Sequence, residues 1–227
     1  MNGSKKRLGA GAASAPGLEE MALVASGVEG REEMEHIRSL LDGLGEQVAL
    51  GVPGSDDRAR AGALFHRLWS ARPERYQPRG SFRLNEVALS QLGMGPAAVG
   101  NCLGLTVLYN VLAQRLGLRV SSIHMDRAFD TGPHVFSLLH SAGRGVDIEN
   151  ILPDGFDYRG HRGNPDREEW DDRELVADMY LSRGNEWFEA GEWQQAMAGY
   201  DRALVFNPRY EKAHLNKMMA RSQLDRG

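Results

Sequence analysis

The strongest constraint in this sequence is a change of hydrophobic period at Gly117. Before this glycine, leucines recur at three- and four-residue steps, which predicts a helix over residues 102–116. Asn101 is a suitable N-cap, which puts Cys102 at the first helical position, and Gly117 is a natural C-cap. The leucines of this stripe are Leu105, Leu108, Leu112 and Leu116.

After Gly117 the apolar residues alternate with a period of two, which is typical of β-strands. The pattern predicts strands over residues 119–125, 134–140 and 145–151. Ala142-Gly143, or Gly143-Arg144, would form the tight turn between the last two strands. We therefore expect an α+β fold, in which a helical N-terminal part and the Cys102 helix pack on a small antiparallel sheet.

The segments before the cysteine helix are predicted to be helices separated by glycine and proline. Apolar residues at helical spacing predict a helix over residues 31–48. Ser55 is a suitable N-cap for a second helix, which should end near Arg72, and a shorter segment follows at residues 84–92. Residues 1–30 are expected to be a disordered leader, and the main domain is expected to span residues 31–160.

The last third of the chain resembles a single tetratricopeptide repeat. This repeat is a 34-residue helix pair with small residues where the helices touch, and here it would begin at Leu175. Residues 161–174 are expected to be a linker, and residues 175–227 the repeat plus one further helix. Because one repeat cannot bury its own apolar face, we expect it to dock on the rest of the chain, on a partner or on a second copy. Its signature positions hold Ala177, Tyr180, Gly184, Trp187, Gly191, Ala196, Tyr200, Ala203 and Pro208.

The composition excludes several classes of protein. Hydrophobic residues make up 41% of the chain and charged residues 26%, as in an ordinary globular protein. The net charge of -4 gives no general attraction to nucleic acid or anionic lipid, and no stretch approaches the ~20 apolar residues of a membrane span. Cys102 is the single cysteine, which fits a reducing compartment. We expect a cytoplasmic protein that binds neither nucleic acid nor membranes.

Cys102, His134 and a carboxylate on the following strand form a candidate catalytic site. A helix N-terminus and a nearby protonated histidine both stabilise a thiolate, which is the nucleophilic form of cysteine. The histidine then acts as general base and acid, while a carboxylate fixes its orientation. With the turn at residues 142–143, Glu149 lies diagonal to His134, about 7 Å away between backbones. Asp147 lies on the same face, one pleat further off, and is the alternative acid.

Neither a metal nor a cofactor is expected from the sequence. Four histidines lie in the central part of the chain, but they lack the short ligand spacings, such as HExxH, that are typical of zinc sites. These histidines are His124, His134, His140 and His161.

The residues around the cysteine and the histidine resemble a transglutaminase-like domain of the papain-like cysteine hydrolase superfamily. The bacterial SirB-type group, whose members often carry C-terminal tetratricopeptide helices, is the most similar. The resemblance covers roughly residues 64–208 of the chain. It rests on Leu84-Asn85-Glu86-Val87, Gly100-Asn101-Cys102-Leu103-Gly104-Leu105, Gly132-Pro133-His134-Val135-Phe136 and Asp147-Ile148-Glu149-Asn150.

This resemblance implies a cysteine hydrolase or acyltransferase that acts on an amide or peptide-like substrate through a thioester acyl-enzyme. Cys102 would attack the carbonyl, His134 would transfer the proton, and Glu149 or Asp147 would orient His134. The Cys102 N–H would help to stabilise the oxyanion, and the candidate oxyanion or substrate-binding side chains are Asn101 and Asn85. The alternative function is a non-catalytic transglutaminase-like scaffold that binds a protein partner through its tetratricopeptide helices.

Overall fold

The computed structural model describes residues 16–49, 56–94, 99–129 and 132–226, and these contain eight helices and five strands. Four of the strands form an antiparallel sheet in the order β4–β3–β2–β5. The predicted combination of helices with a small antiparallel sheet is therefore confirmed. In chain order the elements are α1 (Leu18–Ala25), α2 (Arg31–Ala49), α3 (Asp57–Ala71), β1 (Tyr76–Ser81), α4 (Leu84–Gln91), α5 (Cys102–Arg115), β2 (Val120–Ala128), β3 (Gly132–Ser141), β4 (Arg144–Ile148), β5 (Glu168–Trp170), α6 (Asp172–Glu189), α7 (Trp193–Phe206) and α8 (Glu211–Leu224).

Helix α5 lies at the centre of the fold, and nearly all of its surface is buried. Every residue from Leu103 to Ala113 is buried, and the helix contacts α2, α3, α4, α6 and strand β3. Its ends are those that the sequence predicts. The Asn101 side chain accepts a hydrogen bond from the Gly104 N–H at 2.9 Å, and Gly117 follows the helix with a positive φ of 72°.

A buried polar network joins α5 to the sheet. The Thr106 hydroxyl donates to the Val135 carbonyl on β3 at 3.1 Å. The Asn150 amide donates to the Ser137 hydroxyl at 2.9 Å and to Thr106 Oγ1 at 3.3 Å. Because buried polar groups of this kind are costly to leave unpaired, the network fixes the helix that carries Cys102 relative to the strands.

Strands β3 and β4 form the predicted hairpin. Ser137 lies opposite Ile148 and Ser141 opposite Arg144. Residues 142 and 143 form the turn with φ values of 49° and 75°, which is the positive pair that a type I′ turn requires. The turn at residues 142–143 is therefore confirmed, and the alternative at residues 143–144 is wrong.

The two faces of the sheet are covered by different parts of the chain. On one face, residues such as Val135 and Leu139 join the main hydrophobic core under α5. On the other face, Phe136 and its neighbours form a separate apolar cluster. This second face is covered by residues 156–167, where the His161 ring stacks on Phe136 and the Arg167 guanidinium lies 5.3 Å from the same ring.

Residues 161–174 are not the linker that the sequence predicts. His161 is buried, and Glu168–Trp170 forms strand β5, which pairs with β2 at the edge of the sheet. The buried Trp170 ring stacks on the His124 ring with 4.0 Å between centroids. Long-range packing of this kind turns a polar, glycine- and proline-containing segment into part of the main domain.

The disordered leader predicted over residues 1–30 is wrong for residues 18–25, which form helix α1. Leu18 and Leu23 are fully buried, and the Ser26 hydroxyl accepts the Leu84 N–H at 2.8 Å at the start of α4. Residues 1–15 lie outside the described part of the chain. The predicted cap Ser55 also lies outside it, and the N-cap of α3 is Asp56, which accepts the Ala59 N–H at 2.7 Å.

The three C-terminal helices dock on the main domain through α6. This helix begins at a capping box formed by Asp171 and Glu174, and it contacts both α1 and α5. Helices α6 and α7 approach closely at two glycines, since a Cβ on Gly199 would lie 2.8 Å from the Cα of Gly184. No helix in the described ranges has the length and apolar character needed to cross a membrane.

Replacing Gly184 with Ala should lower the free energy of unfolding by about 1–3 kcal/mol, the usual cost of overpacking. The added Cβ would lie 2.5 Å from the Tyr200 ring, so α6 and α7 would have to separate. Thermal unfolding measures the effect. Gly43→Ala is the matched control, because it adds a methyl group to a helix where no atom lies within 4 Å. Equal midpoints for the two variants would contradict this close helix contact.

Candidate active site

Cys102 is the first residue of α5 and is partly exposed. As the first helical residue, it has a backbone N–H without an intrahelical partner. The preceding segment is held by β1 and the residue before it, because the Asn101 N–H donates to the Ser81 carbonyl at 3.0 Å and the Gly100 N–H donates to the Arg75 carbonyl at 3.1 Å. The thiol therefore lies at a fixed helix N-terminus, where the helix dipole stabilises negative charge.

His134 lies near the start of β3 and interacts with two acidic groups. Its Nε2 is 2.7 Å from Glu149 Oε2, and Cys102 is close enough to affect the pKa of the ring. Since the carboxylate occupies Nε2, a hydrogen bond to the thiol would use Nδ1. The three side chains thus follow the order of nucleophile, base and orienting acid that a cysteine triad requires.

The charges in this group favour a protonated imidazole. Burial alone would lower the pKa of His134, but hydrogen bonds to Cys102 and Glu149 and their negative charges raise it from 6.5 to about 9. For Glu149, burial acts to raise the pKa, yet interactions with His134 and His161 lower it below its ordinary value. The site therefore favours a protonated His134 beside an ionised Glu149.

Glu149 is fully buried and is held by a tight turn after β4. Its backbone N–H donates to the Gly155 carbonyl at 2.9 Å, and a Cβ at Gly155 would lie 2.0 Å from the Glu149 carbonyl oxygen. Only glycine permits this approach. The turn directs the carboxylate to His134, in agreement with the predicted register that places Glu149 opposite Phe136.

Asp147, the alternative acid, lies elsewhere. Its two carboxylate oxygens accept hydrogen bonds from the guanidinium nitrogens of Arg167 at 3.0 and 3.1 Å. The Asp147 carbonyl also accepts the Tyr158 N–H. Asp147 therefore holds the segment that covers the second face of the sheet, while Glu149 is the carboxylate brought to His134.

His161 is a member of this cluster that the sequence did not indicate. Its Nε2 lies 3.2 Å from Glu149 Oε2, the same oxygen that binds His134. The ring contacts the aromatic rings of Phe129, Phe136 and Tyr158. His161 comes from an irregular segment with no periodic pattern, so no local sequence signal could place it here.

Tyr76 on β1 is a second residue that the sequence did not indicate. Burial and the negative charges of Cys102 and Glu149 raise the pKa of Tyr76 above its ordinary value. The phenol is thus a neutral, half-buried donor near the thiol. Tyr76 bridges to Gly100, which brings β1 beside the cysteine motif.

The two predicted oxyanion residues have different surroundings. The Asn101 side-chain oxygen caps α5. Asn85 is the second residue of α4, and Val87 of the same helix packs near Gly104 in the first turn of α5. The Asn85 side-chain oxygen is buried without a hydrogen-bond partner in the described part of the chain. A direct role for Asn85 at the thiol stays a prediction.

The same cluster could hold a metal ion. His134, Glu149 and His161 each offer one ligand atom, and within the described residues these atoms all lie within 4.8 Å of one another. The sequence predicts no metal site because ligand spacing along the chain detects only ligands that are close in sequence. His134, Glu149 and His161 are brought together by the fold.

Comparisons of the chain with protein-family models, curated proteins and solved structures give no match. The function is therefore inferred from the geometry of the site.

Proposed function

We propose that the protein is a cysteine-dependent hydrolase or acyltransferase with a transglutaminase-like core, acting on an amide or peptide-like substrate. The observation that supports this most is the arrangement of three side chains. Cys102 lies at a helix N-terminus close to His134, whose Nε2 is 2.7 Å from the fully buried Glu149. An ordinary buried cysteine needs no such partners.

In this mechanism the Cys102 thiolate attacks the substrate carbonyl and forms a C–S bond. The carbonyl electrons move to oxygen, and the oxyanion accepts a hydrogen bond from the Cys102 N–H. His134 then donates its proton to the leaving amine as the C–N bond breaks, which leaves a thioester. Water or a second amine attacks the thioester while His134 takes up its proton, and the thiolate is regenerated.

Tyr76 is a further candidate for oxyanion or substrate binding. Its phenol remains protonated because the pKa is raised, so it can donate a hydrogen bond to a developing oxyanion. Asn101 is engaged as the helix cap, and its contribution is to fix the position of Cys102.

The test is turnover of peptide amides. A mixture of short peptides with amidated side chains and C-termini is incubated with the protein, with and without a fluorescent primary amine. We expect release of ammonia or incorporation of the amine, and loss of at least about 100-fold of this activity in Cys102→Ser, since the nucleophile is removed. Full turnover by Cys102→Ser would contradict the proposal, and His140→Ala serves as the control for histidine replacement.

A second candidate function is a non-catalytic scaffold that binds a protein partner. It is favoured by the outer face of α8, where Leu215, Met218 and Met219 are 59%, 69% and 49% exposed. Large apolar side chains grouped on one surface are typical of interaction sites. The three C-terminal helices would then act as a tetratricopeptide-like binding unit, while α6 keeps them on the main domain.

The two functions can be separated without truncation, which would expose the buried face of α6. In a Cys102→Ala background, partner capture by the full chain is compared with capture by the double variant Leu215→Glu, Met218→Glu. Capture that persists in the Cys102→Ala protein but is lost when Leu215 and Met218 are replaced supports the scaffold function. Glu46→Gln, a change at an exposed residue of α2, is the surface control.

A further inference from the structure

Two histidines and one glutamate converge on a single point in the buried second face of the sheet. Glu149 Oε2 lies 2.7 Å from His134 Nε2 and 3.2 Å from His161 Nε2. All three side chains are buried. They come from three separate segments of the chain, so the convergence is a property of the fold.

The His161 imidazole has an unsatisfied nitrogen at this point. Although its Nε2 is close to the carboxylate, it is not aligned for a hydrogen bond, and within the described residues it has no other partner. A buried imidazole nitrogen that faces a carboxylate without a hydrogen bond is unusual, because buried polar atoms are normally paired. This nitrogen is therefore available as a ligand.

The donor set suits a zinc-like divalent cation. Zinc binds imidazole nitrogen and carboxylate oxygen at about 2.0–2.2 Å in a tetrahedral arrangement, and sites with three protein ligands leave a fourth position for water. Bonds of that length hold ligand atoms roughly 3.3 Å apart. The His161–Glu149 distance of 3.2 Å is close to this value, the His134–Glu149 distance must open by a few tenths of an ångström, and the ligand nitrogens of the two histidines lie within 4.8 Å of each other.

We propose that His134, Glu149 and His161 bind Zn²⁺, and that the bound ion inhibits the thiol site. The inhibitory consequence rests on the proposed function, whereas the binding itself does not. An ion bound to His134 Nε2 replaces the Nε2 proton that otherwise forms the hydrogen bond to Glu149. The imidazole can then no longer alternate between general base and general acid. Cys102 is not a ligand in this arrangement, because its thiol is not among the clustered ligand atoms of the described residues.

The aromatic ring of Phe129 lies between this cluster and solvent. It contacts His134 and His161 edge-on, with centroid distances of 5.3 and 4.5 Å, and it is 42% exposed. A partly exposed ring that packs on both histidines restricts access to the cluster from this side. Phe129→Ala should accelerate Zn²⁺ uptake without removing a ligand.

The test is titration of the full-length, chelator-treated protein with Zn²⁺ by calorimetry, and with Co²⁺ by absorption spectroscopy. We expect one ion per chain and a cobalt spectrum without the sulfur charge-transfer band that a thiolate ligand produces. His161→Asn and Glu149→Gln should each weaken binding at least about tenfold, which is the loss that even outer-shell changes cause. Cys102→Ser and His140→Ala should bind like the wild type.

The proposal is overturned if the wild-type protein takes up no ion. It is also overturned if the cobalt spectrum shows sulfur ligation, or if Cys102→Ser weakens binding and His161→Asn does not, because the ion then sits on the Cys102–His134 pair. The wild-type spectrum reports the ligands even where a variant fails to fold. Alkylation of Cys102 in the zinc-loaded protein at pH 9 separates this result from the proposed function, since a thiol outside the ligand set stays accessible to the reagent and is ionised there even without its imidazolium partner.

Discussion

In chelator-treated protein at pH 6.5, replacing His134 with Ala should slow the alkylation of Cys102 by about 10- to 100-fold. A thiol of ordinary pKa, about 8.5, is only about 1% thiolate at this pH, whereas a protonated imidazole beside a thiol favours the thiolate. The upper limit of about 100-fold is the ratio of the thiolate fraction in the ion pair to that of the ordinary thiol. The lower limit allows for the weaker intrinsic nucleophilicity of a stabilised thiolate.

The pH dependence of the alkylation rate distinguishes a change in thiol ionisation from a change in the accessibility of Cys102 to the reagent. The pKa of His134 is about 9, so the imidazolium persists through neutral pH. The wild-type rate should therefore change little between pH 6 and 8, while the His134→Ala rate should rise about tenfold per pH unit in that range. Intact mass measures the adduct, and every adduct reports on Cys102 because the chain has no other cysteine.

His140→Ala is the matched control for this experiment. His140 lies on the same strand, but its Nε2 contacts the Ser121 hydroxyl and the Glu169 carboxylate at the far end of the hairpin. Its replacement should leave the alkylation profile unchanged. If the alkylation rate of the wild type rises with pH as steeply as that of His134→Ala, the thiol is not activated. That result would favour the scaffold function.

The predictable part of the site is the part encoded by local sequence. Asn101 and Gly117 mark the ends of α5, because caps depend on the residue type at one position. The register of the β3–β4 hairpin follows from the turn at residues 142–143, since a tight turn fixes the pairing of both strands. Local rules therefore place Cys102, His134 and Glu149 on their elements.

The remaining part depends on segments that meet only in the folded chain. The choice between Glu149 and Asp147 was open from the hairpin alone, and it is Arg167, from the covering segment, that engages Asp147. His161 and Tyr76 come from stretches without a periodic pattern. Their positions follow from packing against aromatic rings and against the cysteine motif, which no local rule describes.

Replacing Glu149 with Gln should lower the free energy of unfolding at pH 6 by about 3 kcal/mol, at the lower end of the cost of breaking a buried ion pair. The substitution keeps the size of the side chain but removes the carboxylate charge that faces the buried His134. Asp147→Asn is the control. Its partner Arg167 is 20% exposed and can regain contact with water, so the loss should be smaller. Asp147→Asn should also leave the alkylation of Cys102 unchanged, while Glu149→Gln should slow it.

The pH dependence of this loss identifies the pair that is broken. The pKa of Glu149 is lowered in the folded state, so its contribution is present above its ordinary value of 4.5 and disappears as the pH falls through the folded value. The pKa of His134 is raised from 6.5 to about 9, so its contribution is complete below 6.5 and disappears as the pH rises through about 9. The stability difference between wild type and Glu149→Gln should therefore be largest between about pH 4.5 and 6.5 and decline toward pH 9.5. Urea unfolding at pH 5.5, 7.5 and 9.5 measures it, and a difference that stays constant across these three values would show that Glu149 stabilises the fold by packing alone.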